Sequence, residues 1–153
     1  MIEEQYISFE TAKLAKEKGF NELCNSDYCK GLINYPHADN EYTNSQISED
    51  GRISRPTQAL LAMWLREKYN VHVIPKPIYD SDRLEQYGCD IHCPDKNGLV
   101  FTIISHVFPV YKQTPNHNMT KELGTYEESM EAGLQEALKL KESEETDNKD
   151  KEE

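Results

Sequence analysis

The stretch ISRPTQALLAMWLREKYNVHVIPKPIYD, Ile53 to Asp80, decides the fold class. Pro56 lies where a helix tolerates proline, inside the first turn, with Ser54 or Arg55 ahead of it as cap. Leu60, Leu61, Met63, Trp64, Leu65 and Tyr69 then cover well over one face. A helix with so wide an apolar surface is the central helix of a core, and Trp64 is a core residue. Asn70 suits the left-handed position that stops a helix. VHVIP follows as an alternating strand until Pro75 and Pro77 remove two ladder donors and confine that end to a sheet edge.

Working toward the C-terminus, YGCDIHCP reads as a second strand and DKNG as a hairpin turn. LVFTIISHVFPVY is the longest strand, nearly all apolar or β-branched, and is therefore expected to be central. A polar loop, KQTPNHNMTKELG, leads to the helix TYEESMEAGLQEALKL. There Thr125 and Glu128 form a capping box, each side chain satisfying the other residue's free backbone donor. Gly133 on the apolar face of that helix costs about 1 kcal/mol against alanine, so it predicts close packing on the sheet.

Toward the N-terminus, SFETAKLAKEKGF is a helix capped by Ser8 and stopped by Gly19. Between the first two helices, from about 21 to 53, no period is sustained. We expect an irregular tyrosine-rich insert, with a short strand at 32–35 paired near 42–47 and a turn at SEDG. The order is helix, insert, helix, three strands, helix. This predicts a two-layer α+β domain over 1–141, about three helices on a small, mostly antiparallel sheet of three to five strands.

The chain has 153 residues, a net charge of −11 and a mean hydropathy of −0.82. Glu142 to Glu153 hold seven acids and two lysines, −5 of that charge, which leaves −6 on the rest. We expect 142–153 to be a disordered acidic tail that solubilises the protein. The acidic balance argues against a phosphate backbone or a membrane surface as partner and for a basic one. No apolar run approaches the roughly 18 residues that span a bilayer. The start, MIEEQYISFE, lacks the basic residues and apolar segment of a signal peptide, so the expected location is the cytoplasm of the host cell.

Three groups of residues invite a chemical reading. Cys24, Cys29, Cys89 and Cys93, helped by His37 or His92, have the residue types of a tetrahedral zinc site, although the tight turn of paired CxxC knuckles is missing. Cys89, Ile91 and Cys93 share one strand face, which suits small buried thiols equally well. His92 and His106, with Asp90 and Cys93 near them, are the components of a hydrolase-like site, but no strained elbow or glycine-flanked nucleophile marks one. Finally, Tyr28, Tyr35 and Tyr42 recur every seven residues in the insert, and Tyr79 lies at the proline-broken edge. Tyrosine offers large contact area at little entropic cost, so these four are the expected binding residues.

The second half, helix–strand–strand–strand–helix, resembles a double-stranded-RNA-binding domain in element order. Such domains need basic residues at the start of the last helix, whereas Glu127, Glu128 and Glu131 there would repel phosphate. Nucleic acid is not expected through that helix. A second resemblance runs through ISRPTQALLAMWLREKYNVHVIP, TYEESMEAGLQEALKL and the opening SFETAKLAKEKGF. These segments resemble small proteins encoded by phages and mobile elements of gut Bacteroidetes, which pair a PTQ…WLRE…VHV segment with a closing YEEA…GLQEALKL helix. The resemblance covers about half the chain and implies a viral or mobile-element origin, with no activity or catalytic residue attached.

The expectation is therefore a small non-enzymatic binding module that needs no cofactor and meets a protein of host or phage, its oligomeric state left open. The alternatives are a zinc-stabilised module and a small hydrolase-like enzyme.

Overall fold

A computed structural model describes residues 3–34, 40–94, 97–98, 100–106, 110–113, 119–122 and 124–149, with side chains except at 80, 85, 100–113, 119–122 and 141–149. The first helix, α1 (Phe9–Glu17), is capped by Ser8, whose Oγ accepts from the Thr11 N–H at 3.3 Å. Gly19, at φ 84°, turns the chain so that the Phe20 N–H reaches the Ala15 carbonyl, and Phe20 folds back into the core at 1% exposure.

The described residues of the insert form regular elements. It holds strands β1 (Asp27–Cys29), β2 (Leu32–Asn34) and β3 (Arg52–Ser54), and the short helix α2 (Asn44–Ile47). The strands form an antiparallel sheet in the order β2-β1-β3. Leu32–Asn34 is the strand expected near 32–35, but its partner is β1 and not residues 42–47. Lys30 and Gly31, both at positive φ, make the two-residue turn whose twist matches a hairpin, and so short a loop costs least to close. Residues 42–47 instead enter α2 through a capping box between Thr43 and Gln46. SEDG becomes a single 3-10 turn closing on Gly51 at φ 69°.

Helix α3 (Gln58–Tyr69) begins at least two residues later than its proline suggests. Pro56 stands outside it, and Thr57 is the cap, its Oγ1 accepting from the Leu60 N–H at 3.2 Å. The preceding residues are held extended because Ile7 N–H bonds to Pro56 O and Gln58 N–H to Gln5 O. Thr57→Ala is expected to lower stability by about 1 kcal/mol through loss of this cap, read as a drop in Tm. Asn70 ends the helix at φ 53°, in the left-handed region.

The second sheet contains β4 (His72–Asp80), β5 (Arg83–Pro94) and β6 (Val100–His106), antiparallel in the order β4-β5-β6. β5 is therefore the central strand, and the apolar run read as central is an edge that ends at His106. Val110–Gln113 (β7) pairs instead with Met119–Glu122 (β8), within the segment read as a polar loop. Pro109, in that run, has no N–H with which to continue a ladder. β4 is the edge that Pro75 and Pro77 predict. Its register with β5 shifts between Ile78 and Tyr79, which pair with Gln86 and Leu84 and leave Glu85 as a bulge.

The last helix, α4 (Tyr126–Lys149), starts with the expected capping box: Thr125 N–H to Glu128 Oε2 at 3.0 Å and Glu128 N–H to Thr125 Oγ1 at 3.1 Å. Its helical backbone runs on to Lys149, into the acidic segment. α4 lies across β4 and β5, and the fully buried Leu61, Leu65, Val71, Leu134, Ala137 and Leu138 fill the space between the helices and this sheet. Trp64, 6% exposed, meets Phe20 and Tyr69 edge to face at 5.3 and 5.4 Å. The architecture is α+β: four helices and two small three-stranded antiparallel sheets, with α4 on the second.

Candidate interaction site

Three helices begin at one end of the molecule, at Ser8, Thr57 and Thr125. Glu131 ties them together. Its Oε1 accepts from the Ser8 N–H at 2.8 Å and from the Thr11 hydroxyl, while its Oε2 accepts from Gln58 Nε2 at 3.2 Å. Gln58 Nε2 also reaches the Glu127 carbonyl at 3.0 Å. A carboxylate at the free donors of α1 is favourably placed against the helix dipole, so the first turn of α4 is held rigidly.

Around that turn lie three depressions, all bounded by Glu127. The first, about 460 Å³, runs past Tyr6, Arg55, Gln58 and Glu128. The second, about 200 Å³, lies between Glu4, Thr57, Tyr126 and Met130. The third, about 370 Å³, lies between Leu84, Gln86, Tyr87 and Tyr126. Tyr126, 49% exposed, forms the ridge between the last two and packs edge to face on Tyr87 at 5.8 Å. A backbone bond from Tyr87 N–H to Gly124 O ties β5 to the start of α4 and sets the floor of the third. In the first, the Arg55 guanidinium stacks over the Tyr6 ring at 4.3 Å.

Those of the expected binding tyrosines that are described are dispersed. Tyr28 is 6% exposed, its hydroxyl donates to the Ile7 carbonyl at 2.7 Å, and its ring meets Phe9 edge to face at 5.3 Å. It serves the core. Tyr42 is half-buried and pairs through its backbone with Cys24, in both directions at 2.9 Å. Tyr35 lies outside the described residues. Tyr79, 61% exposed on β4, is directly opposite Leu84 and so adjoins the third depression. A seven-residue spacing does not bring side chains to one surface when the segment alternates strand, turn and short helix. Tyr126 and Tyr87 were read as parts of a helix face and a strand, and no local signal marks them as a pair.

Cys29 lies in β1 with Cys24 shortly before it, whereas Cys89 and Cys93 lie in β5. Among the described residues no group of three or more His, Cys, Asp and Glu side chains is placed to hold a metal ion. Cys24 and Cys89 are buried thiols. Burial first, then the charge of Glu41, pushes the Cys24 thiol up to about 12, and burial pushes Cys89 to about 11. A thiol held protonated is a poor nucleophile. Asp90 is salt-bridged to Lys76 at 2.7 Å, and His92 lies opposite His72 across the β4–β5 ladder. The backbone of His106 is opposite Cys89, its side chain being outside the description, as is His37.

The two raised thiols make alkaline stability a test of their burial. Each binds its proton more tightly folded than unfolded, where 9.0 applies. Their stabilisation is thus intact below pH 9 and is lost as pH climbs toward 11 to 12, by about 1.4 kcal/mol per pH unit for each thiol. In urea melts from pH 8.5 to 10.5, wild type is expected to lose stability more steeply than the Cys24→Ala/Cys89→Ala variant. Parallel slopes would show thiols that ionise freely.

No helix among the described residues is long and apolar enough to cross a membrane. In comparisons with known families, curated proteins and solved structures, the chain matches none of them.

Proposed function

We propose that this chain is a non-enzymatic interaction module of phage or mobile-element origin, docking a basic segment of a protein partner at the α4 end. The observation that carries this reading is the meeting of three depressions at Glu127, with half-exposed Tyr126 as a ridge between two of them. Tyr79 and Leu84, 61% and 39% exposed, extend the surface along the end of β4 and β5. Aromatic side chains on a rigid backbone lose little entropy on binding, and here the capping box and Glu131 hold that backbone. Glu4, Glu127 and Glu128 line the depressions, and the chain carries −11, so a basic partner is steered toward them. The buried, protonated Cys24 and Cys89 support a binding role over a nucleophilic one.

The test is a photo-crosslinking residue at position 126 of the full chain, expressed in the host cell, with the same residue at Leu32 as an exposed control. Leu32 is 75% exposed on the edge strand β2, far along the chain from α4. The expected result is one basic protein joined at 126 and not at 32, lost in Glu127→Lys and weakened in high salt. Equal joining at both positions, or none at 126, overturns the reading.

A further inference from the structure

Arg52 on β3 and Arg55 just beyond it are held very differently. Asp27 grips the Arg52 guanidinium through both Nε and Nη2. Arg55 has no ion pair among the described residues. Its Nη1 donates to Ser26 Oγ at 3.4 Å, and its Nε is buried without an acceptor. Its Nη2 donates to no protein group and, unlike Nε, is open to water. Ring faces fix the cation instead, Tyr6 at 4.3 Å and Tyr28 at 5.6 Å. The Arg55 N–H bonds to the Ser26 carbonyl, and the Tyr28 hydroxyl to the Ile7 carbonyl, so both the cation and its platform are anchored. A guanidinium presented in one place loses little freedom on binding.

Arg55 is the wall shared by the first depression and a smaller one of about 210 Å³ beside Glu4, Asn25 and Glu41. Every other charged residue lining the two is an acid. The surroundings therefore select among ligands. An apolar group would leave the guanidinium unpaired, and a lone ammonium would meet it with like charge. A phosphate would bring up to two charges among the glutamates. A carboxylate brings one, and its two oxygens match the guanidinium fork. The glutamates add a second demand, because that carboxylate must arrive on a chain whose other charges are positive.

We infer that Arg55 receives a carboxylate of the basic partner. Its Nη groups donate to the two oxygens, while neighbouring cationic side chains of the partner face Glu127 and Glu128. This rests on the docking reading above and names what the first depression recognises.

The test uses the full chain and one basic peptide, N-acetyl-Lys-Lys-Gly, with its C-terminus either free or amidated. Both are titrated at matched ionic strength and followed by NMR. The amide is the more positive, so attraction to the acidic surface alone favours it, whereas a carboxylate receptor reverses the order. The free acid is expected to bind about tenfold tighter, the worth of one charge-assisted pair. Saturable shifts should appear at the Arg55 Nε–H and the Tyr6 ring. Arg55→Gln should abolish the preference, and Arg55→Lys, which keeps the charge but loses the fork, should retain only part of it. Glu127→Gln should weaken both forms and leave their ratio unchanged. If the Arg55 variants fail to fold, the wild-type order and the place of the shifts carry the test. N-acetyl-Lys-Asp-Lys amide separates the two sources of the group: binding as tight as the free acid assigns a side-chain carboxylate, and weaker binding a chain end. Amide binding equal to or tighter than the acid, or shifts away from Arg55, overturn the assignment. The two readings fail separately. Joining at position 126 without the acid preference removes the carboxylate receptor alone, and the preference without joining removes the docking reading alone.

Discussion

Gly133→Ala is expected to destabilise the protein by about 3 kcal/mol, although alanine is the better helix former by about 1 kcal/mol. At this position α4 lies directly on the sheet. A methyl group there would overlap Cys89 Sγ, come within 2.7 Å of Val73 Cγ1 and within 3.2 Å of Cys89 Cβ. Both neighbours belong to strands paired to each other, Val73 on β4 and Cys89 on β5, so neither yields without moving the ladder. Larger residues should be worse: Gly133→Val is expected to abolish cooperative folding. The steric origin can be separated from a helix effect. In Gly133→Ala/Cys89→Ala the overlapping sulfur is gone and only the contacts with Val73 Cγ1 and the Cβ of residue 89 remain, so part of the loss should return. Urea melts of wild type, the two single variants and the double variant check this. Simple additivity of the two losses would show that the helix and strand do not meet at that point.

The second large effect is expected at the ion pair inside the first sheet. Asp27 sits at the start of β1 with its side chain 4% exposed, and Arg52 on β3 grips it in a fork, Nε to Oδ1 at 3.0 Å and Nη2 to Oδ2 at 2.5 Å. Asn34 on β2 adds a donor at 3.4 Å, so one carboxylate joins all three strands. Asp27→Ala leaves the guanidinium, only 19% exposed, without its counter-charge. The expected cost is about 3 kcal/mol, at the lower end for a broken buried pair because Arg52 retains some water and the face of Tyr42 at 5.7 Å. Replacing both partners by apolar residues, Asp27→Leu/Arg52→Met, should recover most of that loss, since two desolvated charges leave together. A double-mutant cycle that gives no coupling would mean the pair is a surface ornament.

These two sites differ in how far the sequence foretells them. Gly133 is legible, because a glycine on the apolar face of a helix with strong start signals has little purpose other than close approach. The Asp27–Arg52 pair is not, because its partners lie 25 residues apart in a segment without a period, and nothing local says that β1 and β3 are neighbours. Capping follows the same division. Thr125 with Glu128 and Ser8 with Thr11 are local arrangements, and the chain reads them directly. Pro56 misleads by at least two residues, since the bonds holding the chain before α3 come from Gln5 and Ile7, distant in sequence.

Periodicity and caps, being short-range properties, thus suffice for the α+β class, for three of the helices, for the β4 edge marked by its prolines and for the contact of α4 with the sheet. Strand order is a long-range property. The apolar run 99–111 is indistinguishable from a central strand until β5, flanked on both sides, is seen to take that place. The candidate surface is longer-range still. Tyr87 and Tyr126 are ordinary residues of a strand and a helix turn, and they meet only because the Tyr87 N–H bonds to the Gly124 carbonyl and holds β5 against the start of α4. Local hydrogen bonding selects the elements, and it is the burial of Leu61, Leu65, Leu134 and Leu138 between them that brings those residues to one end of the molecule.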